Sequence, residues 1–275
     1  MTLGENLSQA VPPLSPETVL LRQRQGAGAR YDTASAPAVE LGWARLGTAY
    51  FARKLNEIKD DELDEPTLIP GWSRRRLIAH VGYQARALTR IVEAARTGQP
   101  VQEVPEEQQG VEANAATLPA RALRNLFHHS EVHLNVEWRD LTGIDWQDSV
   151  VLPGGTAIPI AQTPAIRARV VWVHAVDLNN LGSFRDFPPS FLEWLAAEEL
   201  LLQEPGLGKS SLALGPSGVE YVVRSAAQVA PVKGTLADIV RWLCGRGARR
   251  LTPPDPEILH HKTSGPGPLG LSEMG

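Results

Sequence analysis

The stretch Arg167-Ala-Arg-Val-Val-Trp-Val-His-Ala-Val-Asp-Leu178 constrains the fold more than any other part of this chain. It is apolar on nearly every face, which predicts a helix buried on all sides. Yet it takes Arg169, His174 and Asp177 into that interior. Ionisable side chains are costly to bury unless they are paired or hold a metal. The imidazole of His174 is therefore either a satisfied core histidine or a ligand, and periodicity alone does not separate the two.

A second histidine has a similar setting upstream. Leu68-Ile-Pro-Gly-Trp-Ser73 reads as a turn ending in a helix N-cap at Ser73. The helix that follows runs from Arg74 to Thr97 and closes at Gly98, with His80 inside Leu77-Ile-Ala-His-Val81. Arg74, Arg75 and Arg76 occupy its first turn, where the helix dipole disfavours cations, and read as a basic solvated rim or an anion-attracting lip.

Two more helices accompany these. Leu41, Ala44, Leu46, Tyr50, Phe51 and Leu55 recur at helical spacing between Val39 and Lys59. Asp60, Asp61 and Asp64 then form an acidic turn, read as solvated. Pro119 to Leu141 predicts another helix, with Leu123, Leu126, His133, Leu134 and Trp138 toward its inner face. His129 and His133 have the i, i+4 spacing that can chelate a metal, and Glu137 extends their stripe. No apolar setting isolates these three, so they read as surface or capping residues. Ser149 to Ile160 reads as a hairpin about Gly154-Gly155.

Four helices with one hairpin insertion point to an up-and-down bundle with a site in its interior. After Phe187-Pro-Pro189 the pattern changes to a helix over 190–202, short strands near 211–214, 219–225 and 229–233, and a closing helix over 235–244. The chain thus divides into a loosely ordered N-terminal extension (1–38), a four-helix bundle (39–186), a small α+β unit (187–251) and a flexible tail (252–275). The fold class is mainly α with an α+β part.

Composition excludes several classes. Hydrophobic content of 43% and charged content of 21% are those of a soluble globular protein. A net charge of -4 gives no electrostatic reason to expect nucleic acid or an anionic membrane as partner. The single cysteine, Cys244, excludes an internal disulfide and a cysteine metal cage, and at an apolar helix end it reads as structural. The N-terminus lacks a signal-peptide pattern, and the expected setting is a reducing cytoplasm. No phosphate-binding Gly-rich loop or Gly-x-Ser-x-Gly elbow occurs.

Three segments together resemble one family: Pro70-Gly-Trp-Ser-Arg-Arg-Arg-Leu-Ile-Ala-His-Val81, Arg169-Val-Val-Trp-Val-His-Ala-Val-Asp-Leu178, and Gly234-Thr-Leu-Ala-Asp-Ile-Val-Arg241 with Gly245-Arg-Gly247. In that order they are similar to the mycothiol-dependent maleylpyruvate isomerases of the DinB-like superfamily. The resemblance runs from about Ala44 to Arg249 and takes in Ala122-Leu-Arg-Asn-Leu126. It implies a DinB-like four-helix bundle with a zinc site, followed by a small α/β domain. It also implies isomerisation of maleylpyruvate to fumarylpyruvate in the gentisate pathway, with mycothiol or another low-molecular-weight thiol as cofactor.

Carried over by position, the resemblance puts two metal-ligating histidines at His80 and His174 and an active-site arginine at Arg246. The family's Glu-x-x-x-His pattern meets Val170 where the glutamate stands, and a valine cannot ligate. Zinc ordinarily takes three protein ligands and keeps a fourth position open. Asp177 is a carboxylate that could substitute. The chemistry implied is addition of a thiolate to a conjugated cis alkene, rotation, and elimination, with a cation such as Arg246 for the substrate carboxylates and the developing enolate. The partners implied are a small-molecule substrate and a thiol, on a monomer. Competing readings on the same scaffold are a mycothiol-type S-transferase and a non-catalytic binding protein.

Overall fold

The computed structural model describes residues 32–101, 114, 116–201, 211–214, 221–224 and 232–252. The extension and tail expected from the sequence lie almost wholly outside them. Four long helices carry the larger part: α1 (Ala38–Asn56), α2 (Arg74–Thr97), α3 (Ala120–Asp140) and α4 (Thr163–Asp177). Helix α1 packs along α4 and α2 along α3, and α2 against α4 joins the two pairs.

Each helix begins and ends for local reasons. The Ser73 hydroxyl accepts from the Arg76 N–H at 3.3 Å, and Gly98 closes α2 in the left-handed region at φ 68°. Pro164 lies in the first turn of α4, where its missing N–H costs nothing. Helix α1 can approach α4 closely because residue 47 is glycine. A Cβ there would come within 2.6 Å of the Val171 and Trp172 side chains. Above that contact the Trp172 indole N–H donates to the Trp43 carbonyl at 2.9 Å, and the Tyr50 ring stacks on Trp172. Phe51, Leu77, Leu88, Leu123 and Leu134 are fully buried in the shared core, each stabilising the fold by about 1.5–3 kcal/mol.

Helix α4 buries His174 and Asp177 as expected, but not Arg169. Arg169 is only partly buried and pairs with Glu199 at 2.8 Å. The fully buried arginine is Arg167, which contacts Glu131 of α3 and donates to the Val81 carbonyl and Gln84 Oε1 on α2. Burial pulls its pKa down to about 9, still high enough to keep it charged at neutral pH. The sequence singled out Arg169 as the buried arginine, and the one that faces three neighbours is Arg167, two positions earlier.

The basic first turn of α2 is a solvated rim only at Arg76, which is exposed. Arg74 is buried and donates to the carbonyls of Leu178 and Asn179, just past the end of α4, and to Glu62 O and Glu65 Oε2. Arg75 pairs with Asp64 and the Leu118 carbonyl, and Arg124 of α3 pairs with Asp60, so the acidic turn is a partner surface. The gain is positional. Arg74, helped by the Leu68 N–H to Asp177 O bond at 3.0 Å, ties the start of α2 to the end of α4.

Strands β1 (Ser149–Val151) and β2 (Ala157–Pro159) form the hairpin between α3 and α4. Beyond α4 comes the small α+β part: α5 (Pro189–Leu201), β3 (Ser211–Leu214), β4 (Tyr221–Arg224), β5 (Val232–Gly234) and α6 (Leu236–Leu243). The three strands are antiparallel in chain order, and α5 packs on α6. Helix α6 ends in a Schellman turn: Gly245 at φ 72° donates to the Trp242 carbonyl and the Arg246 N–H to the Arg241 carbonyl. That turn directs Arg246 back toward the bundle. Among the described residues no helix is long and apolar enough to cross a membrane.

Candidate active site

His80 lies in the second turn of α2 and His174 in the last turn of α4, the two helix ends that Arg74 ties together. Their imidazoles meet edge to face, with ring centroids 5.4 Å apart and planes at 84°. Trp72 packs edge-on against the other side of His80 at 5.3 Å. Two imidazoles sharing a tetrahedral metal at bond lengths of ~2.0–2.1 Å would have centroids about 5 Å apart. The separation alone would allow a shared ion.

The rest of the donor set does not complete one. Val170 stands one helical turn before His174 and is buried among apolar neighbours. Asp177 hydrogen-bonds His174 at its Nδ1, 2.8 Å away, and gives both its oxygens to Arg246. Among the described residues no group of three or more His, Cys, Asp and Glu side chains gathers in a way that could hold a metal. The residues present therefore do not fit the three-ligand zinc centre that the family pattern implies.

Arg246 enters from the Schellman turn of the small α+β part. Its Nε donates to Asp177 Oδ1 at 3.0 Å, its Nη2 to Asp177 Oδ2 at 2.7 Å, and its Nη1 to the Cys244 carbonyl at 2.5 Å. Both ends of the pair are buried. Burial alone would raise the Asp177 pKa, but the Arg246 charge and the bonds from His174 and Arg246 outweigh it and hold the carboxyl below its usual range. Burial likewise works against the Arg246 cation, and Asp177 more than compensates. For His174 burial wins. It brings the imidazole down to about 4 despite the Asp177 hydrogen bond, so the ring is neutral at neutral pH.

The sequence-predicted residues His80, His174, Asp177 and Arg246 thus share one place, and the α3 histidines do not. His129 and His133 are exposed, His133 against its expected inward position. Glu137, read as a surface residue, is buried and accepts from Arg96 at 2.9 Å. Cys244 is buried at the end of α6 and in no disulfide, as a structural cysteine should be. What sequence reading missed was the double engagement of Asp177. The available signal was an acid three residues after a histidine on an apolar helix, where a carboxylate must find partners.

The comparisons with known proteins bear on the family and the fold. The sequence model of the family described as mycothiol maleylpyruvate isomerase N-terminal domain matches residues 44–179. A crystal structure of the mycothiol-dependent maleylpyruvate isomerase is 37% identical, with a TM-score of 0.69 over 78% of this chain and 92% of that one. The chain belongs to the mycothiol-dependent maleylpyruvate isomerase family. A histidine-to-alanine mutant of that isomerase is 36% identical with a TM-score of 0.68, at the same coverage. No curated protein matches the chain. As a member of the mycothiol-dependent maleylpyruvate isomerase family it is an enzyme of the isomerase class, with a helical bundle and a small α/β part.

Proposed function

We propose that this enzyme converts maleylpyruvate to fumarylpyruvate, as in gentisate-type aromatic degradation, with mycothiol or a close relative as its thiol. The observation that carries the reading is the hydrogen-bonded chain His174–Asp177–Arg246 beside His80 in the bundle interior. It combines a neutral imidazole with a buried cation, which suits a thiol and a dicarboxylate together.

A low-molecular-weight thiol supplies reversible addition to a conjugated alkene, which makes the cis double bond a rotatable single bond before elimination restores it as trans. The protein has three tasks around that chemistry. The His174 ring, which burial keeps neutral with its pKa near 4, is too weak a base to hold the thiol proton and instead accepts a hydrogen bond from the S–H, orienting the sulfur toward the alkene. Arg246 favours the anionic forms: a substrate carboxylate shares its guanidinium with Asp177, and the enolate that develops next to the added sulfur meets the same charge. Trp72 and the apolar face around Val170 keep water away, which strengthens these interactions. No step is assigned to zinc, because among the described residues no third ligand joins the two histidines.

The test is to free the enzyme of small molecules by gel filtration and follow maleylpyruvate with mycothiol omitted and then restored. The expected result is no turnover until the thiol is added. Equal rates with and without thiol would reject the reading.

A further inference from the structure

We infer that Arg76 is the substrate-capturing residue of this site, a guanidinium held over Trp72 at its mouth to bind a carboxylate of the incoming dicarboxylate. The inference rests on the isomerase reading above for the identity of that substrate.

The first turn of α2 carries three arginines, and two of them hold the structure together. Arg74 donates to the Leu178 and Asn179 carbonyls and to Glu65, and Arg75 donates to Asp64 and the Leu118 carbonyl. Asp64 and Glu65, the acids nearest to Arg76 in the sequence, are therefore already paired. Arg76 is exposed, and among the described residues its guanidinium has no hydrogen-bond or ion-pair partner. It is held all the same. Its Cζ lies over the Trp72 ring, 4.1 Å from the centroid. Stacking uses the flat face of the guanidinium and leaves its rim of N–H donors for the two oxygens of a carboxylate.

The platform under Arg76 is fixed in turn. The Trp72 N–H donates to the Ile69 carbonyl at 3.1 Å, and the Trp72 carbonyl accepts from the Thr67 N–H at 2.9 Å and the Thr67 hydroxyl at 3.0 Å. Its indole meets His80 edge-on. Arg76 stands one helical turn before His80, on the same side of α2. The series Arg76, Trp72, His80, His174 thus runs from exposed through half-buried to fully buried, each member in contact with the next. Arg246, the other cation of the site, is buried and engaged by Asp177. A dianion arriving from solvent meets Arg76 first.

The test uses the full-length enzyme without thiol, so that maleylpyruvate binds and is not converted. Isothermal titration calorimetry reads its Kd at low and at high salt. Arg76→Met keeps an apolar chain over Trp72 and removes the charge. Its Kd should be about 10-fold weaker than that of the wild type at low salt, the scale of a hydrogen bond to a charged group. Most of the salt dependence should go with it. Arg76→Lys keeps the charge without the fork and should fall between the two, with the salt dependence retained. With thiol restored, the KM of Arg76→Met for maleylpyruvate should rise by the same factor, while kcat changes far less and the KM for the thiol stays at its wild-type value. A purely structural role in seating Trp72 would instead lower kcat and leave the salt dependence intact, which would overturn the inference. A wild-type Kd in Arg76→Met, or a rise confined to the KM for the thiol, would overturn it too. A wild-type enzyme that binds maleylpyruvate without isomerising it would overturn the functional reading alone, because the Kd comparison needs no turnover. A wild-type enzyme that binds no maleylpyruvate would overturn both.

Discussion

Arg246 closes two N–H groups on the Asp177 carboxylate, at 3.0 Å from Nε to Oδ1 and 2.7 Å from Nη2 to Oδ2, with both side chains buried. The pair is electrically neutral as a unit and anchors the small α+β part to the end of α4. Its chemistry and its structural cost are therefore separable by choice of substitution.

Arg246→Lys keeps the charge and loses the fork. Its kcat should fall about 100-fold, the usual scale for losing a donor aimed at developing charge. Arg246→Met also leaves Asp177 charged and buried, which should cost about 3–5 kcal/mol of stability. Steady-state kinetics and urea unfolding separate the two effects. A fully active lysine variant would remove Arg246 from the reaction.

Acid should destabilise the fold. His174 has a pKa of about 4 when folded against an ordinary 6.5, so the unfolded chain binds the extra proton first as pH falls. The stability from this group is complete above pH 6.5 and is lost between 6.5 and 4. The loss is on the order of 3 kcal/mol. Asp177, held below the usual carboxylate range, adds a further loss at lower pH in the same direction. Unfolding free energies measured across this window should slope steeply in the wild type and less so in His174→Gln. Parallel slopes would show that His174 is not buried neutral.

Much of this architecture was legible in the sequence. Ser73 and Gly98 marked the ends of α2 because caps act locally, and the Gly245-Arg-Gly247 turn announced the end of α6 for the same reason. His80 and His174 stood out as polar residues in apolar helices. The partners of buried charges were not legible. Arg74 against two carbonyls past α4, Arg167 against Glu131, and Asp177 against Arg246 all join residues far apart in the chain. Helical periodicity places a side chain on a face and says nothing of what that face meets.

The Arg167–Glu131 contact provides a test of the bundle independent of the site. Glu131→Ala leaves a fully buried guanidinium uncompensated and should cost about 3–5 kcal/mol. Replacing both residues, as Arg167→Met with Glu131→Leu, should restore most of that loss. Thermal unfolding of the single and double variants measures it, and equal losses in both would mean the pair is not what the single change disrupts.

Val170→Glu would place a carboxylate one turn before His174, on the face that carries His80 opposite. Two histidines and a carboxylate then make a three-ligand zinc set. Without metal the buried charge should lower stability by about 2–5 kcal/mol. Added zinc should recover it. Thermal unfolding with chelator and with zinc decides the matter, and no zinc-dependent rise in the variant would mean position 170 cannot reach a metal held by the two histidines.

The central claim is that this site isomerises maleylpyruvate and returns its thiol unchanged. Proton NMR of the wild-type enzyme with maleylpyruvate in large excess over mycothiol tests it most directly. The account predicts many molecules of fumarylpyruvate formed per molecule of thiol, with the free thiol intact at the end. Thiol consumed one for one as a stable adduct, or maleylpyruvate left unconverted, would contradict it.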